Sequence, residues 1–263
     1  MTIRFAAAAS FAAALLPAGL LRTGSVTTRY RVETKNETTV DLSGFGAPSQ
    51  QQNFNLVSWI AVTVSDTAGG RSVHVVVDSM SYSGNIAQLS QATADSAKGA
   101  TVHGLIDTSG RLKNLIAKPE NLLLADVQGA LYSFFPRVKT SAKEGEAWSD
   151  TVEVTNTANG ANVKSTFRIN YTATGQEKVA GTDALKLAAV SSADVSGTLD
   201  NPQMGTMELV GKIQGNSTTL IGGDGRYLGG TSSSTSDQTL KTAMAPGPIP
   251  VKTVRTTTVT FVK

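Results

Sequence analysis

The sequence of 263 residues contains no cysteine and few charged side chains. Both features limit the kinds of bond, metal site and partner that the protein can have. Without cysteine the chain forms no disulfides, no thiolate zinc sites and no acyl anchor on cysteine. Charged residues make up only 16%, and the net charge is +3. The charges are dispersed, with no basic stripe carrying interleaved aromatic residues, so the sequence predicts no nucleic-acid partner.

Signatures of catalysis are also missing. The two histidines, His74 and His103, lie in predicted strands without a neighbouring His-carboxylate pattern, although neighbouring strands can bring them together. There is no G-x-S-x-G element, no phosphate-binding glycine loop, and no obvious pair of catalytic carboxylates. We therefore predict a non-catalytic protein with no catalytic residues, no metal and no cofactor.

The first 24 residues resemble a signal peptide. Arg4 precedes an apolar run over residues 5–16, which Pro17 interrupts before it reaches the roughly 20 residues of a membrane span. No other stretch is long and apolar enough to cross a bilayer. The alanine- and threonine-rich texture is typical of bacteria, so we expect export to the periplasm, cell surface or extracellular space.

Alternation of apolar and polar residues with a period of two dominates the rest of the chain. Val26, Thr28, Tyr30 and Val32 share one parity, and the tail VKTVRTTTVTFVK predicts a long final strand. The Asn-Gly pair in TANGAN, residues 157–162, is a strong hairpin signal. The pattern predicts a mainly β protein.

One segment has helical periodicity instead. In PENLLLADVQGALYSFFPRV, apolar residues recur at helical spacing between Pro119 and Pro136. A single amphipathic helix beside sheets is expected to pack on, or plug, the open face of a curved sheet. The predicted organisation is a signal peptide, a first β-module, a connecting helix and a second β-module, at residues 1–24, 25–118, 119–136 and 137–263.

Two glycine-containing stretches, IDTSGRLKNL and IGGDGRYLGG, correspond to one another in the two modules. Gly110 and Gly225 can supply a positive φ, and Asp107 and Asp224 can accept hydrogen bonds from local backbone amides. A calcium loop would need further oxygen ligands that neither stretch has. We predict two turns within two similar, curved antiparallel modules; whether these form a half-open barrel or two sheets is left open.

Several large apolar side chains are candidates for lining a ligand cavity in the curved sheet. The alternative is that the same side chains fill a solid core. Trp148, in GEAWSD, is expected to anchor the entry to a strand, although the stretch also fits a recognition loop. The candidates are Trp59, Tyr82, Leu123, Val127, Leu131, Phe134 and Trp148.

The second half of the chain resembles an uncharacterised family of exported bacterial β-rich proteins, a domain of unknown function. The resemblance covers about residues 100–263 and consists of Pro136, the Gly145–Glu146–Ala147–Trp148 element, and the Gly110–Arg111–Leu112 and Gly225–Arg226–Tyr227 turns. It implies no catalytic residues. At the level of architecture alone, the expected curved sheet with a helix on its concave face is similar to periplasmic lipoprotein and lipid carriers.

The sequence thus favours an exported, non-catalytic envelope protein that binds a lipid or another apolar or amphipathic molecule. The first alternative is a structural or adhesive cell-surface protein with an envelope protein partner, acting through sheet edges. The second alternative is a hydrolase without a recognisable motif.

Overall fold

The computed structural model describes residues 25–108, 110–135, 142–156, 161–201, 205–244 and 247–262. The predicted signal peptide, the predicted turn at 157–160 and Pro136 lie outside these residues. The strands are β1 Val26–Val40, β2 Gln50–Thr67, β3 Gly70–Gly84, β4 Thr101–Asp107, β5 Leu112–Lys118, β6 Ala147–Asn156, β7 Ala161–Val179, β8 Thr182–Asn201, β9 Gly205–Gly222, β10 Tyr227–Lys241 and β11 Ile249–Val262. The helices are α1 Gln91–Asp95 and α2 Leu124–Leu131, with 3₁₀ turns at Ser43–Phe45 and Tyr132–Phe134.

All eleven strands belong to one antiparallel sheet, in the order β5-β4-β3-β2-β1-β11-β10-β9-β8-β7-β6. Strands β1–β5 and β6–β10 are two five-strand meanders, and β11 lies between β10 and β1. The mainly β prediction is confirmed. The two predicted modules are joined in one open sheet, because β11 pairs with β1 over the register Arg29↔Val262 to Val40↔Val251.

One face of the sheet is buried, as the alternation predicted. In β1 every even-numbered residue from Tyr30 to Val40 is buried, whereas the odd-numbered residues are exposed or half-buried. Antiparallel pairing continues this parity into β11, where Val251 and Val259 are buried. The apolar side chains form two clusters, and Trp148 packs against both.

The sheet curves around α2. The side chain of Gln128 in α2 donates to the backbone oxygen of Leu115 in β5, 3.1 Å away. On its other side, Gly129 and Ala130 line a cavity together with Phe167 of β7. In a flat sheet β5 and β7 would lie roughly 40 Å apart, nine strand spacings of ~4.8 Å. The buried face is therefore concave, with α2 inside it.

Both predicted turns are tight hairpins with glycine in the left-handed region. Gly110 (φ 81°) donates to the backbone oxygen of Asp107, and Gly225 (φ 78°) donates to that of Gly222, each at 2.8 Å. These two hydrogen bonds place Asp107 and Gly222 at equivalent positions of the two turns. Asp107 and Asp224 therefore occupy different positions. Asp107 accepts from the amide of Arg111, whereas Asp224 accepts from that of Arg226.

Two adjacent glycines at the β2–β3 turn, Gly69 and Gly70, differ in whether their position tolerates a side chain. Gly70 has φ 137°, and an added Cβ would collide with the backbone oxygen of Ile106; Gly69 has open space around it. We expect Gly70→Ala to lower the free energy of unfolding by about 2–3 kcal/mol. Gly69→Ala should change it by less than about 0.5 kcal/mol. Urea denaturation of both variants measures the difference, and equal effects would contradict this account.

Candidate functional site: the concave face beneath α2

Helix α2 starts later than its sequence pattern predicted. The amide of Leu123 donates to Oδ1 of Asn121 at 2.8 Å, and the amide of Leu124 donates to the Asn121 backbone oxygen at 3.1 Å. These bonds form a turn after Pro119, so the helix runs over Leu124–Leu131 and ends in the 3₁₀ turn Tyr132–Phe134. A helix is present within the predicted segment 119–136, but it is shorter, and the structure has a second, short helix, α1, that the sequence pattern did not predict.

Two tyrosines of the sheet, Tyr30 and Tyr227, form an aromatic floor under the end of this helical segment. The ring of Phe134 stacks on Tyr227 at a centroid distance of 4.5 Å and meets the edge of Tyr30 at 4.7 Å. The Tyr30 hydroxyl donates to the backbone oxygen of Tyr227 at 2.8 Å. Burial raises the pKa of Tyr30 far above the usual range for tyrosine. The phenol therefore remains neutral at every physiological pH.

Polar side chains interrupt the apolar lining where β1, β11 and β10 cross the concave face. We call these side chains the polar belt. Each of the three strands contributes three inward-facing residues at every second position: Thr34, Asn36 and Thr38 of β1, Thr253, Arg255 and Thr257 of β11, and Ser232, Ser234 and Ser236 of β10. Thr38 contacts Thr253 at 3.1 Å between hydroxyl oxygens, and the Asn36 amide donates to Thr38 at 3.1 Å. Among the described residues, the buried Oδ1 of Asn36 and Oγ of Ser236 have no hydrogen-bond partner. Buried polar atoms of this kind normally bind water or a ligand.

A buried ion pair ties α2 to this belt. Nη2 of Arg255 lies 2.7 Å from Oδ1 of Asp126, and the two side chains are only 7% and 10% exposed. Removing two charges from water is costly, so each side chain depends on the other for compensation. Asp126 is also in the first turn of α2, where a negative charge interacts favourably with the helix dipole.

A small cavity lies between α2 and the belt. Its volume is about 40 Å³, and it is lined by Gly129 and Ala130 of α2 and by side chains of the sheet that include Ser191, Ser217, Ser232 and Arg255. On the same measure one water needs about 10–15 Å³, so the cavity is the size of a few water molecules. Typical small-molecule pockets of ~300–1,000 Å³ are many times larger.

Six of the seven predicted cavity residues lie on or against the concave face. Leu123, Val127, Leu131 and Phe134 are buried in the cluster around α2, and Tyr82 and Trp148 are partly buried against it. Trp148 stacks on Tyr171 with ring centroids 5.6 Å apart, at the start of β6. In this structure these side chains belong to one buried apolar cluster or pack against it.

Trp59 lies on the opposite face. It pairs with Arg31 and Ser79 on the outer side of the sheet and is 41% exposed. The large apolar residues of β2 that are buried in the core, such as Leu56 and Ile60, have even numbers. Trp59 has an odd number and therefore faces the other side of the sheet. Trp59 therefore does not line the concave face, contrary to the prediction, and its odd position in the alternation of β2 is the signal that places it outside.

The two histidines do meet. His74 of β3 is directly opposite His103 of β4, and their Nδ1 atoms are 3.2 Å apart on the outer face. Within the described residues, no three His, Asp or Glu side chains come together in a geometry that would hold a metal ion. Antiparallel register brings the two rings together, as the sequence allowed.

Sequence reasoning missed Arg255 and Asp126. In the tail VKTVRTTTVTFVK, Arg255 shares its parity with Val251 and Val259, which signals an inward-facing arginine. A buried charge is uncommon and marks a structural or functional site. Asp126 carries no comparable signal, because its partner is more than a hundred residues away in the sequence.

Comparisons with known proteins identify no family. No protein-family model matches the chain, and no curated protein matches it. A solved structure of lipovitellin, concerned with lipid–protein interactions in that protein, has a TM-score of 0.45 and 12% sequence identity. The match covers 92% of this chain but 25% of the lipovitellin chain, so this chain spans about a quarter of that length.

A likeness at this level is too weak to support a functional conclusion. The likeness to lipid carriers and the uncharacterised bacterial family both stay predictions. None of the helices in the described ranges has both the length and the hydrophobicity needed to cross a bilayer.

Proposed function

We propose that this protein is an exported, non-catalytic envelope protein that binds an apolar or amphipathic ligand against the concave face of its sheet. The main support is the way this face is covered. A helical segment of eleven residues, α2 and the 3₁₀ turn after it, lies in the concavity, with Val127, Leu131 and Phe134 buried there. If this segment moves aside, it uncovers an apolar surface.

The polar belt favours an amphipathic ligand over a purely apolar one. The belt crosses the concave face between two apolar clusters, and it contains buried atoms of Asn36 and Ser236 without partners among the described residues. A ligand with an apolar chain and a polar group can contact both kinds of surface. Binding sites commonly combine an apolar lining with a few fixed polar groups in this way.

Ligand binding requires α2 to move. The cavity beneath Gly129 and Ala130, about 40 Å³, is too small for an acyl chain. The proposed bound state therefore has α2 displaced, and the ligand takes over the contacts of its apolar side chains. The polar bonds of α2 to the sheet include the Asp126–Arg255 pair and the Gln128–Leu115 hydrogen bond, and both must break or shift.

Export and the absence of catalysis are parts of this proposal that depend on the sequence. Arg4 and the apolar run at 5–16 support export, and the missing catalytic motifs support a binding role. The structural or adhesive alternative is favoured by one observation: in the described chain β5 and β6 are the ends of the strand order and each pairs with one strand. Sheet edges of this kind can accept a further strand from a partner.

The two tryptophans allow a direct test of ligand position. Trp148 contacts both apolar clusters on the concave face, whereas Trp59 lies on the outer face. We expect a brominated fatty acid, which quenches tryptophan on contact, to bind saturably. It should quench Trp59→Phe, where only Trp148 remains, and leave the emission of Trp148→Phe nearly unchanged.

Mass spectrometry of a solvent extract complements this experiment. Mature protein purified without detergent after export is expected to release an apolar or amphipathic molecule in stoichiometric amount. An empty extract, together with no saturable binding of the brominated fatty acid, would rule out the carrier function. Quenching confined to Trp59 would place any ligand on the wrong face and contradict the proposed site.

A further inference from the structure

The paired histidines lie on the face of the sheet opposite the proposed ligand site. His74 and His103 face one another across β3 and β4, and the flanking pairs Val73↔Gly104 and Val75↔Val102 fix the register on both sides. The pairing between β3 and β4 is therefore regular on each side of the two rings, while the pairing of β4 with β5 shifts register between His103 and Leu105. These are the only histidines in the chain, which has no cysteine.

The distance between the two Nδ1 atoms matches the requirement of a shared metal ion. Two imidazole nitrogens bound to one ion at ~2.05 Å with a tetrahedral angle are about 3.3 Å apart. The two Nδ1 atoms are 3.2 Å apart, with ring centroids separated by 4.5 Å and planes inclined by 41°. Both side chains are accessible to solvent, so an ion can reach them and the rings can turn slightly toward it.

We propose that His74 and His103 form a two-histidine site for a borderline divalent transition-metal ion such as Cu²⁺, Ni²⁺ or Zn²⁺. Imidazole nitrogen suits this group of ions, and Cu²⁺ is expected to bind most tightly. Without the ion, the Nδ1–H of one ring donates a hydrogen bond to the Nδ1 lone pair of the other. In the metal-bound site each neutral ring carries its proton at Nε2 and offers the Nδ1 lone pair to the ion.

Water completes the coordination, because the described residues provide no third His, Asp or Glu in the cluster. The neighbours across the sheet are Thr63 opposite His74 and Ile116 opposite His103. The site therefore resembles an open, solvent-facing metal site more than a closed structural one. It does not depend on ligand binding at the concave face.

Electron paramagnetic resonance of Cu²⁺ bound to the mature full-length protein tests the site. The wild type is expected to show hyperfine coupling to two imidazole nitrogens. His74→Gln and His103→Gln should each show coupling to one, and the double variant should show none. Because chelation makes the second contact intramolecular, each single variant should bind Cu²⁺ about tenfold or more weakly than the wild type.

The double variant measures how much Cu²⁺ binds elsewhere, at the amino terminus or at carboxylates, and this amount is subtracted from the binding of the other variants. Isothermal titration with Zn²⁺ extends the test to a second ion of the same class, with circular dichroism to verify that all variants are folded. A wild-type spectrum with one coupled imidazole, or equal Cu²⁺ affinity in the wild type and the single variants, would overturn the proposal.

Discussion

Asp126→Ala is expected to lower the free energy of unfolding by about 3–5 kcal/mol, because it leaves the buried charge of Arg255 without a partner. The Arg255 side chain is 7% exposed, and its guanidinium lies 2.7 Å from the Asp126 carboxylate beneath α2. Water in the adjoining cavity can solvate the guanidinium, but it carries no charge to replace that carboxylate. Urea denaturation followed by circular dichroism measures the loss.

A double-mutant cycle separates the ion pair from general packing. Asp126→Leu combined with Arg255→Met removes both charges and should be much less destabilised than either single variant. The matched surface control is Asp194→Ala, since Arg168 and Asp194 are paired at 3.1 Å but are 64% and 59% exposed. We expect that change to cost less than about 1 kcal/mol. Equal losses for Asp126→Ala and Asp194→Ala would contradict a buried pair.

Phe134→Ala is expected to be comparably destabilising, by about 3–5 kcal/mol, because it removes a buried ring that packs on the aromatic floor. Phe134 is 2% exposed and contacts Tyr30 and Tyr227 at ring centroid distances of 4.7 and 4.5 Å. The cavity that remains is lined by apolar and aromatic groups. Such cavities bind small apolar molecules, so benzene should raise the melting temperature of this variant more than that of the wild type.

Trp59→Ala is the control for this prediction, because it removes an even larger aromatic side chain from the outer face. Its 41% exposure leaves much of the ring in water. We expect a loss of about 1 kcal/mol or less, and no added stabilisation by benzene. If Trp59→Ala proved as damaging as Phe134→Ala, the assignment of the two residues to opposite faces would be wrong.

The Asp126→Ala variant also tests the proposed function. Asp126→Ala weakens the attachment of α2 and so raises the fraction of molecules in which the concave face is accessible. If the fatty acid binds only when α2 is displaced, this variant should bind the brominated fatty acid more tightly than the wild type while it remains folded. Unchanged affinity would mean that α2 does not control access to the site.

Local features of the fold were predictable from the sequence because they depend on residues close together in the chain. Alternation in β1 predicted the buried parity of Tyr30 and Val32, and the tail predicted β11. Gly110 and Gly225 mark tight turns, since glycine adopts a positive φ at little cost. Helical spacing between Leu123 and Phe134 predicted α2, which lies on the concave face, but not α1, whose Ala94 is buried in the same apolar cluster.

The candidate site was only partly predictable. Leu123, Val127, Leu131 and Phe134 could be assigned to one helix face from their spacing. Which strands they contact depends on the curvature of the sheet, which no short segment specifies. The sequence also left open whether the apolar side chains line a cavity or fill a core, because hydrophobic periodicity is the same in both cases.

By itself, then, the sequence determined the strand-rich composition, the inward parity of most strands, the two glycine turns and the amphipathic helix, all through local backbone preference and periodicity. Only the tertiary structure decided that β1 and β11 join two meanders into one sheet, that Arg255 meets Asp126, and that His74 faces His103. The physical reason is that strand register and helix docking arise from contacts between distant segments. Their energies depend on the whole sheet and cannot be read from any single stretch of the chain.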